Sequence, residues 1–295
     1  MNKKYTLFDI VNTTLVILIT LLILYPLYFC VIASVSAPNQ VALGNTLLWV
    51  KDFTLSSYQY VLKEKSLWIG YRNTIIYTLL GTLYNLILTI PAAYVLTKKY
   101  LPFRGAISWF FFLTMYFSGG MIPSYLLYRD LHLVNSPLAM ILGMGVSCYN
   151  LIVTRQYFSG NVPDEIYEAA RIDGASEGTC FVKIAIPLSK AIVAVMALYY
   201  GVAHWNSYYT ALIYLQNKKL FPLQFVLRSF LFKDFTVAIQ SAESLDEVER
   251  LLKQQEAVYG MRYGIIIIAS LPLLIAYPFI QKYFVKGVTI GGVKG

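Results

Sequence analysis

Six stretches of this chain are each long and nearly free of charge: Ile10–Ser34, Thr74–Leu96, Ala106–Leu127, Leu138–Tyr157, Leu188–Tyr214 and Tyr263–Phe284. A helix needs roughly 20 apolar residues to cross the hydrocarbon core of a bilayer. Strands of a membrane barrel would be shorter and would alternate polar with apolar residues, which these runs do not. The expectation is an all-α integral membrane protein with six spanning helices, forming a single domain over residues 1–295 with its core at about 72–284. Composition agrees: only 13% of the residues are charged, too few to cover a large aqueous core.

The net charge of +9 would suggest nucleic acid in a soluble protein. Here the basic residues fall at the ends of apolar runs, where Lys and Arg anchor helices and meet anionic lipid. No nucleic-acid partner is expected. The start, Met1-Asn2-Lys3-Lys4, leads into an apolar run too long for a signal peptide and without a small-x-small cleavage site, so it reads as an uncleaved first span. Cys30, Cys148 and Cys180 form no C-x-x-C or Cys/His pair, so neither a disulfide framework nor a metal site is expected. With the amino terminus inside, Lys and Arg divide 12 and 12 of the 24 between the two sides. Lys3, Lys4 and the tight Lys98–Arg104 connection carry more weight, because short loops dominate the positive-inside rule. Both termini are therefore expected in the cytoplasm.

Between the fourth and fifth runs lies a polar interruption, Val162 to Ser176, continuing to Ile184-Ala185-Ile186-Pro187. With Glu177 it holds 5 of the 15 acidic residues. Pro163 suits a helix start, and Asp164 and Glu165 complement the positive end of the helix dipole. Gly174 is a natural stop, and Ser176 can cap a second helix. Ala169 and Ala170 are small enough to let another surface approach closely. The expectation is a rigid two-helix elbow on the cytoplasmic face. The later connection, Leu215–Arg262, is long, and Leu245, Val248, Leu251 and Leu252 at helical spacing predict a surface helix within it.

No phosphate-binding pattern G-x-x-x-x-G-K-[ST] occurs. The apolar runs carry almost no Asp or Glu, which argues against a proton- or sodium-coupled secondary transporter. A membrane scaffold without an ATPase is the other alternative, and no residue favours it. His132 reads as a solvated loop residue. Polar and aromatic residues cluster in three runs: Tyr84 and Asn85; Ser147, Tyr149 and Asn150; and His204, Trp205, Asn206, Ser207, Tyr208 and Tyr209. They either line a wet cavity, where rings and amides suit a sugar, or hydrogen-bond between packed helices. In the third run, Phe117-Ser118-Gly119-Gly120-Met121-Ile122-Pro123 predicts a hinge or a close helix crossing.

The spacing Glu168-Ala169-Ala170, three residues, Gly174, nine residues, Ile184-Ala185-Ile186-Pro187 resembles the EAA loop of ATP-binding-cassette importer permeases, with Ile186 where Leu is usual. Gly119 to Tyr125, His204-Trp205-Asn206 and the tail Lys286–Gly295 are similar to the carbohydrate-uptake branch, which contains the second maltose permease subunit. The resemblance implies the type I importer permease fold in a bacterial inner membrane. It implies import of carbohydrates, di- or oligosaccharides and acidic polysaccharide fragments among them, by alternating access. The implied partners are a sister permease subunit, two ATPase subunits that bind the ATP and magnesium, and an extracytoplasmic solute-binding protein. The chain itself would bind no cofactor and catalyse nothing. Glu168, Ala169, Ala170, Asp173, Gly174, Ile184 and Pro187 would dock on the ATPase. By location, Leu215–Arg262 would reach the binding protein and the tail would reach between the ATPases.

Overall fold

The computed structural model describes residues 6–232, 235, 239–242 and 244–291, and the chain there is helical apart from its connections and an antiparallel bridge between Ser36 and Phe53. Lys3 and Lys4 and the end of the tail, 292–295, lie outside the described residues. The chain packs as two compact units. One joins residues up to Leu67 with Leu227–Pro272, and the other joins Trp68–Val226 with residues from Leu273 onward.

In the first unit, helix Leu7–Ser34 opens on a reciprocal cap. The Asp9 carboxylate accepts the Thr6 N–H at 2.9 Å, and Thr6 Oγ1 accepts the Asp9 N–H at 3.3 Å. Its apolar side chains are exposed on every face through most of its length, as suits a helix whose solvent is lipid. Short helix Ser56–Lys63 lies against the stretch of helix Leu245–Gly291 that belongs to this unit, and Ser57 Oγ donates to the Gly260 carbonyl. A β carbon at Gly264 would come within 3.1 Å of Ser57, and one at Gly260 within 3.3 Å of Pro38. The two glycines, four residues apart on one face, are what lets the backbones meet.

The second unit is built on helices Lys65–Val95, Cys148–Asn161 and Lys190–Trp205. Ile90, Tyr94, Leu151, Phe158, Ile192, Met196 and Tyr200 pack in the seam between them, and the elbow adds Tyr167, Cys180 and Ala185.

Several expected spans are not single helices. Ala106–Leu127 is two, Arg104–Tyr116 and Met121–Asp130, bent by 113°. The break falls at Phe117–Gly120, where Gly120 holds φ +85° and ψ 179°, a conformation essentially reserved for glycine. Pro123 then sits in the first turn of the second helix, where its missing N–H costs nothing. Leu138–Tyr157 divides into Pro137–Leu142 and Cys148–Asn161, with Gly145 at φ +47° between them. Leu188–Tyr214 is interrupted near Ser189, where Glu177–Leu188 meets Lys190–Trp205 at 80°, and again before Tyr208–Tyr214. The surface helix expected at Leu245–Leu252 is not separate but runs unbroken into the last span as Leu245–Gly291. Glu, Arg, Lys, Gln and Leu, all good helix formers, make up 247–256 apart from Val248, and the first proline within the helix is Pro272.

By length and composition, three helices among the described residues could cross a bilayer: Leu7–Ser34, Lys65–Val95 and Leu245–Pro278. Counting each of the two bent pairs as one segment raises the number to five. The fourth expected span is in neither group.

Candidate functional site

The elbow begins with helix Asp164–Ile172, preceded by Pro163 at φ −58° and ψ 141°. Its end is specified by two bonds: the Ala175 N–H donates to the Ala170 carbonyl at 2.9 Å, and the Gly174 N–H to the Arg171 carbonyl at 3.0 Å. That pairing turns the chain through a left-handed residue, and Gly174 supplies it at φ +81°. Ser176 then caps the next helix, its Oγ accepting the Thr179 N–H at 3.2 Å. The stretch Glu177–Leu188 contains a π-helical turn over Phe181–Ala185.

Helix Asp164–Ile172 is one-sided. Tyr167 is its buried residue and Ala170 is half-buried, whereas Glu165, Glu168, Ala169 and Ile172 face outward. Ile172 is 86% exposed, an isoleucine left almost uncovered by the described residues. Asp173 and Gly174 share the exposed end, and a β carbon at Gly174 would meet nothing within 4 Å. On the following helix Ile184 packs against the core while Pro187 is exposed.

The inner side is tied down by an aromatic and charged cluster. Tyr94, at the end of Lys65–Val95, meets Tyr167 and Phe158 edge-on at 5.9 and 6.1 Å and Phe181 at 5.0 Å. The Lys98 ammonium sits over the Tyr167 ring at 3.6 Å and the Tyr94 ring at 4.1 Å. Ring faces are negative and attract a cation held out of water. Burial lowers the Lys98 pKa from its ordinary value, with Glu177 pulling the other way. Glu177 accepts from Arg171 at 2.9 Å and from the Tyr94 hydroxyl at 3.2 Å. Burial alone would raise its carboxyl, but hydrogen bonds from Tyr100, Arg171 and Tyr94 hold it below the usual carboxylate range. The Tyr167 phenol is pushed up to about 12, first by burial and then by nearby negative groups. The Lys99–Asp164 pair, by contrast, spans 3.1 Å with both side chains largely in solvent.

A second polar group lies deep in the same unit. His204 Nε2 and Asn85 Oδ1 are 2.7 Å apart, and both residues are buried. Asn85 Nδ2 donates to the Gly145 carbonyl, which leaves its Oδ1 as acceptor and assigns the ring proton of His204 to Nε2. Gly81 makes room, since a β carbon there would strike the His204 ring. Beside this pair the Thr89 and Tyr200 hydroxyls are 2.7 Å apart, and Tyr200 accepts the Ser147 N–H at 3.1 Å.

Of the residues that sequence singles out for a substrate path, Asn85 and His204 thus meet in one hydrogen bond, which leaves His204 Nδ1 outside it. Asn150 is buried in the first turn of Cys148–Asn161, and Trp205 is buried edge-on to Tyr71 at 6.1 Å. Tyr84 is half-buried, while Tyr149, Asn206 and Tyr208 are exposed.

A cavity of about 460 Å³ lies elsewhere in the same unit, and none of these eight residues lines it. It opens at the break in the third span and is bounded by Pro137–Leu142 and Tyr208–Tyr214. Its lining includes the hydroxyl-bearing residues Ser118, Ser124, Tyr128, Ser207, Tyr209 and Thr210, of which Ser124 donates to the Gly120 carbonyl at 2.8 Å and Ser207 to the His204 carbonyl at 2.6 Å. Ser207 and Tyr209 stood in the polar cluster of the sequence. Ser118, Ser124, Tyr128 and Thr210 did not, although the glycine pair beside Ser118 was the signal that a wall opens there.

A sequence profile of the family described as binding-protein-dependent transport system inner membrane component matches residues 66–290. Protein LplC of Bacillus subtilis strain 168 is 34% identical over 295 residues, covering 100% of this chain and 97% of that protein. The polygalacturonan/rhamnogalacturonan transport system permease protein YtcP of the same organism is 32% identical over 292 residues, covering 99% and 100%. A chain from the crystal structure of a bacterial ABC transporter involved in the import of the acidic polysaccharide alginate superposes with a TM-score of 0.85. It is 31% identical, and the match covers 96% of this chain and 100% of that one.

Proposed function

The chain belongs to the binding-protein-dependent transport system inner membrane components, and from that membership we propose that its elbow, Glu168 to Pro187, is where a partner ATPase drives it. It is a multi-pass membrane permease of an ABC carbohydrate importer, a transport subunit and not an enzyme, with ATPase and solute-binding partners.

Glu168, Ala169, Ala170, Asp173 and Gly174 form the docking end, with Ile184 and Pro187 carrying its motion into Lys190–Trp205. The observation that supports this reading is the one-sidedness of Asp164–Ile172. Tyr167, with the half-buried Ala170 and the Lys98–Glu177 cluster, holds one face, while Ile172 and the small Ala169 offer the other. An exposed isoleucine on a helix this well braced fits a cleft on another protein. ATP and magnesium bind on that partner, since this chain has no phosphate loop.

Two ATPase subunits and a sister permease complete the assembly. The chain crosses the membrane six times, the fourth crossing made by Pro137–Leu142 and Cys148–Asn161 in series, with both termini in the cytoplasm. The cargo is a di- or oligosaccharide. The names of YtcP and of the alginate transporter extend that range to acidic polysaccharide fragments.

Gly174→Glu tests the reading. A side chain at φ +81° costs roughly 1–2 kcal/mol in backbone strain and places a charge at the docking end. Uptake into vesicles should be lost while the chain still inserts at its normal level. Undiminished uptake at normal subunit levels would sink the coupling role.

A further inference from the structure

The cavity at the break in the third span differs in kind from the elbow. Hydroxyl-bearing residues line it from three segments: Ser118 within the break, Ser124 and Tyr128 along Met121–Asp130, with Ser124 Oγ also donating to the Gly120 carbonyl at 2.8 Å, and Tyr209 and Thr210 from Tyr208–Tyr214. Among the described residues, none that lines it is charged. The nearby Arg129 guanidinium is already engaged by Asp130 at 2.9 Å.

We propose that this cavity binds a neutral pyranose unit of the transported glycan, so that this subunit itself contacts cargo and disfavours a uronate at that position. The proposal rests on the carbohydrate-importer reading above and adds to it a site and a ligand charge. Three observations carry it. First, irregular backbone at membrane depth is tolerated where it lines a wet cavity, and interrupted helices are where membrane transporters build cargo sites. The span breaks here, at Phe117–Gly120. Second, the walls combine hydroxyl groups with aromatic rings, the two features a sugar ring satisfies. Tyr128 and Tyr214 stack at 4.0 Å and are nearly parallel at 15°, which fixes Tyr128 in the wall. Gly143 has no side chain to displace the Tyr128 hydroxyl, which lies where its β carbon would be. The Tyr209 ring is 55% exposed, free to lie against an apolar sugar face, and its hydroxyl is 3.6 Å from Met121 Sδ. Third, at about 460 Å³ the space lies within the range of small-molecule pockets, roughly 300–1,000 Å³. A carboxylate brought into it would lose water and find no cation, whereas neutral hydroxyls would exchange water for hydrogen bonds of the same kind.

The test uses the complete transporter in proteoliposomes with its binding protein, and maltotriose, xylotriose and trigalacturonate, all built of pyranose rings, as probes. Wild type should take up at least one neutral trisaccharide. The double variant Ser124→Ala/Thr210→Val should slow that uptake about three- to tenfold, the loss expected from one or two hydrogen bonds. Thr210→Ser, which keeps the hydroxyl, should restore it. As a check independent of rate, alkylation of Thr210→Cys by a small uncharged maleimide should slow when the neutral sugar is present during turnover. Unchanged uptake in the double variant, alkylation indifferent to sugar, or wild-type uptake confined to trigalacturonate would each overturn the proposal and leave the importer reading standing. A wild type that moves no carbohydrate at all would overturn both.

Discussion

The elbow and the cavity belong to one compact unit and, in the roles proposed for them, meet opposite requirements. The elbow concentrates charge: Lys98, Arg171 and Glu177 are locked among Tyr94, Tyr100 and Tyr167, and what remains exposed is an apolar and acidic face. Among the described residues the cavity's lining carries no charge, and its hydroxyl-bearing and aromatic residues stand beside Met121, Met140, Met144, Ala139 and Ile213. A surface that must transmit force to another protein needs a rigid back, and charge-assisted bonds beside the buried rings of Tyr94 and Tyr167 provide one. A space that must release its cargo needs many weak, interchangeable contacts. Between the two regions lies the buried Asn85–His204 pair, which serves neither end directly but holds its helices together.

That contrast can be broken most severely at the elbow's buried side. Tyr167→Ala removes the buried residue of Asp164–Ile172 and one ring over Lys98, and should destabilise the elbow by about 3 kcal/mol. Hydrogen exchange over 164–176 should rise by two orders of magnitude while helix Leu7–Ser34 keeps its protection. A smaller effect is expected in the middle of the unit. Asn85→Ala leaves the His204 ring proton and the Gly145 carbonyl unpaired, and should cost about 1–3 kcal/mol. Thermal unfolding of the detergent-purified complex would measure it, and Gly81→Ala, which crowds the same ring, should lower the midpoint as well. Smaller still is Lys98→Met, which keeps the volume but loses the cation over two rings, about 1 kcal/mol in total. Transport per ATP hydrolysed would register it, with Lys98→Arg restoring most of the loss. At the bottom of the scale, Lys99→Ala breaks a pair that stands in solvent, and neither stability nor transport should change measurably.

These expectations differ in how far residues alone foretold them. The elbow was legible because its shape is set locally: Gly174 and Ser176 do their work within a few residues, so the stop and the second cap could be read from spacing. Long apolar runs placed Leu7–Ser34 and Lys65–Val95, although the second begins about two turns earlier than its apolar run. The glycine pair announced the break in the third span but not its 113° bend, which depends on what packs beside it. Apolar periodicity carried the helix from Leu245 onward, and the run of helix formers without a proline before Pro272 was the local signal that it continues into the last span. Lys98 reads in sequence as one more basic anchor at a helix end. Only folding brings Tyr167 over it, from 69 residues further along the chain. The Asn85–His204 bond closes a separation of 119 residues. Such a pairing leaves no trace in spacing, and neither does a wall assembled from Ser124 and Thr210.

If the outward face of Asp164–Ile172 holds the ATPase, a charge placed on that face must loosen the complex. The experiment is recovery of the ATPase with an affinity-tagged chain from detergent extract, wild type beside Ile172→Glu, at equal membrane levels of the chain. Ile172 is too exposed for the change to disturb the fold of its own chain. Full recovery is expected with wild type and a loss of about tenfold or more with the variant, as for an anchoring residue at an interface. Equal recovery with both chains would refute the assignment of this face.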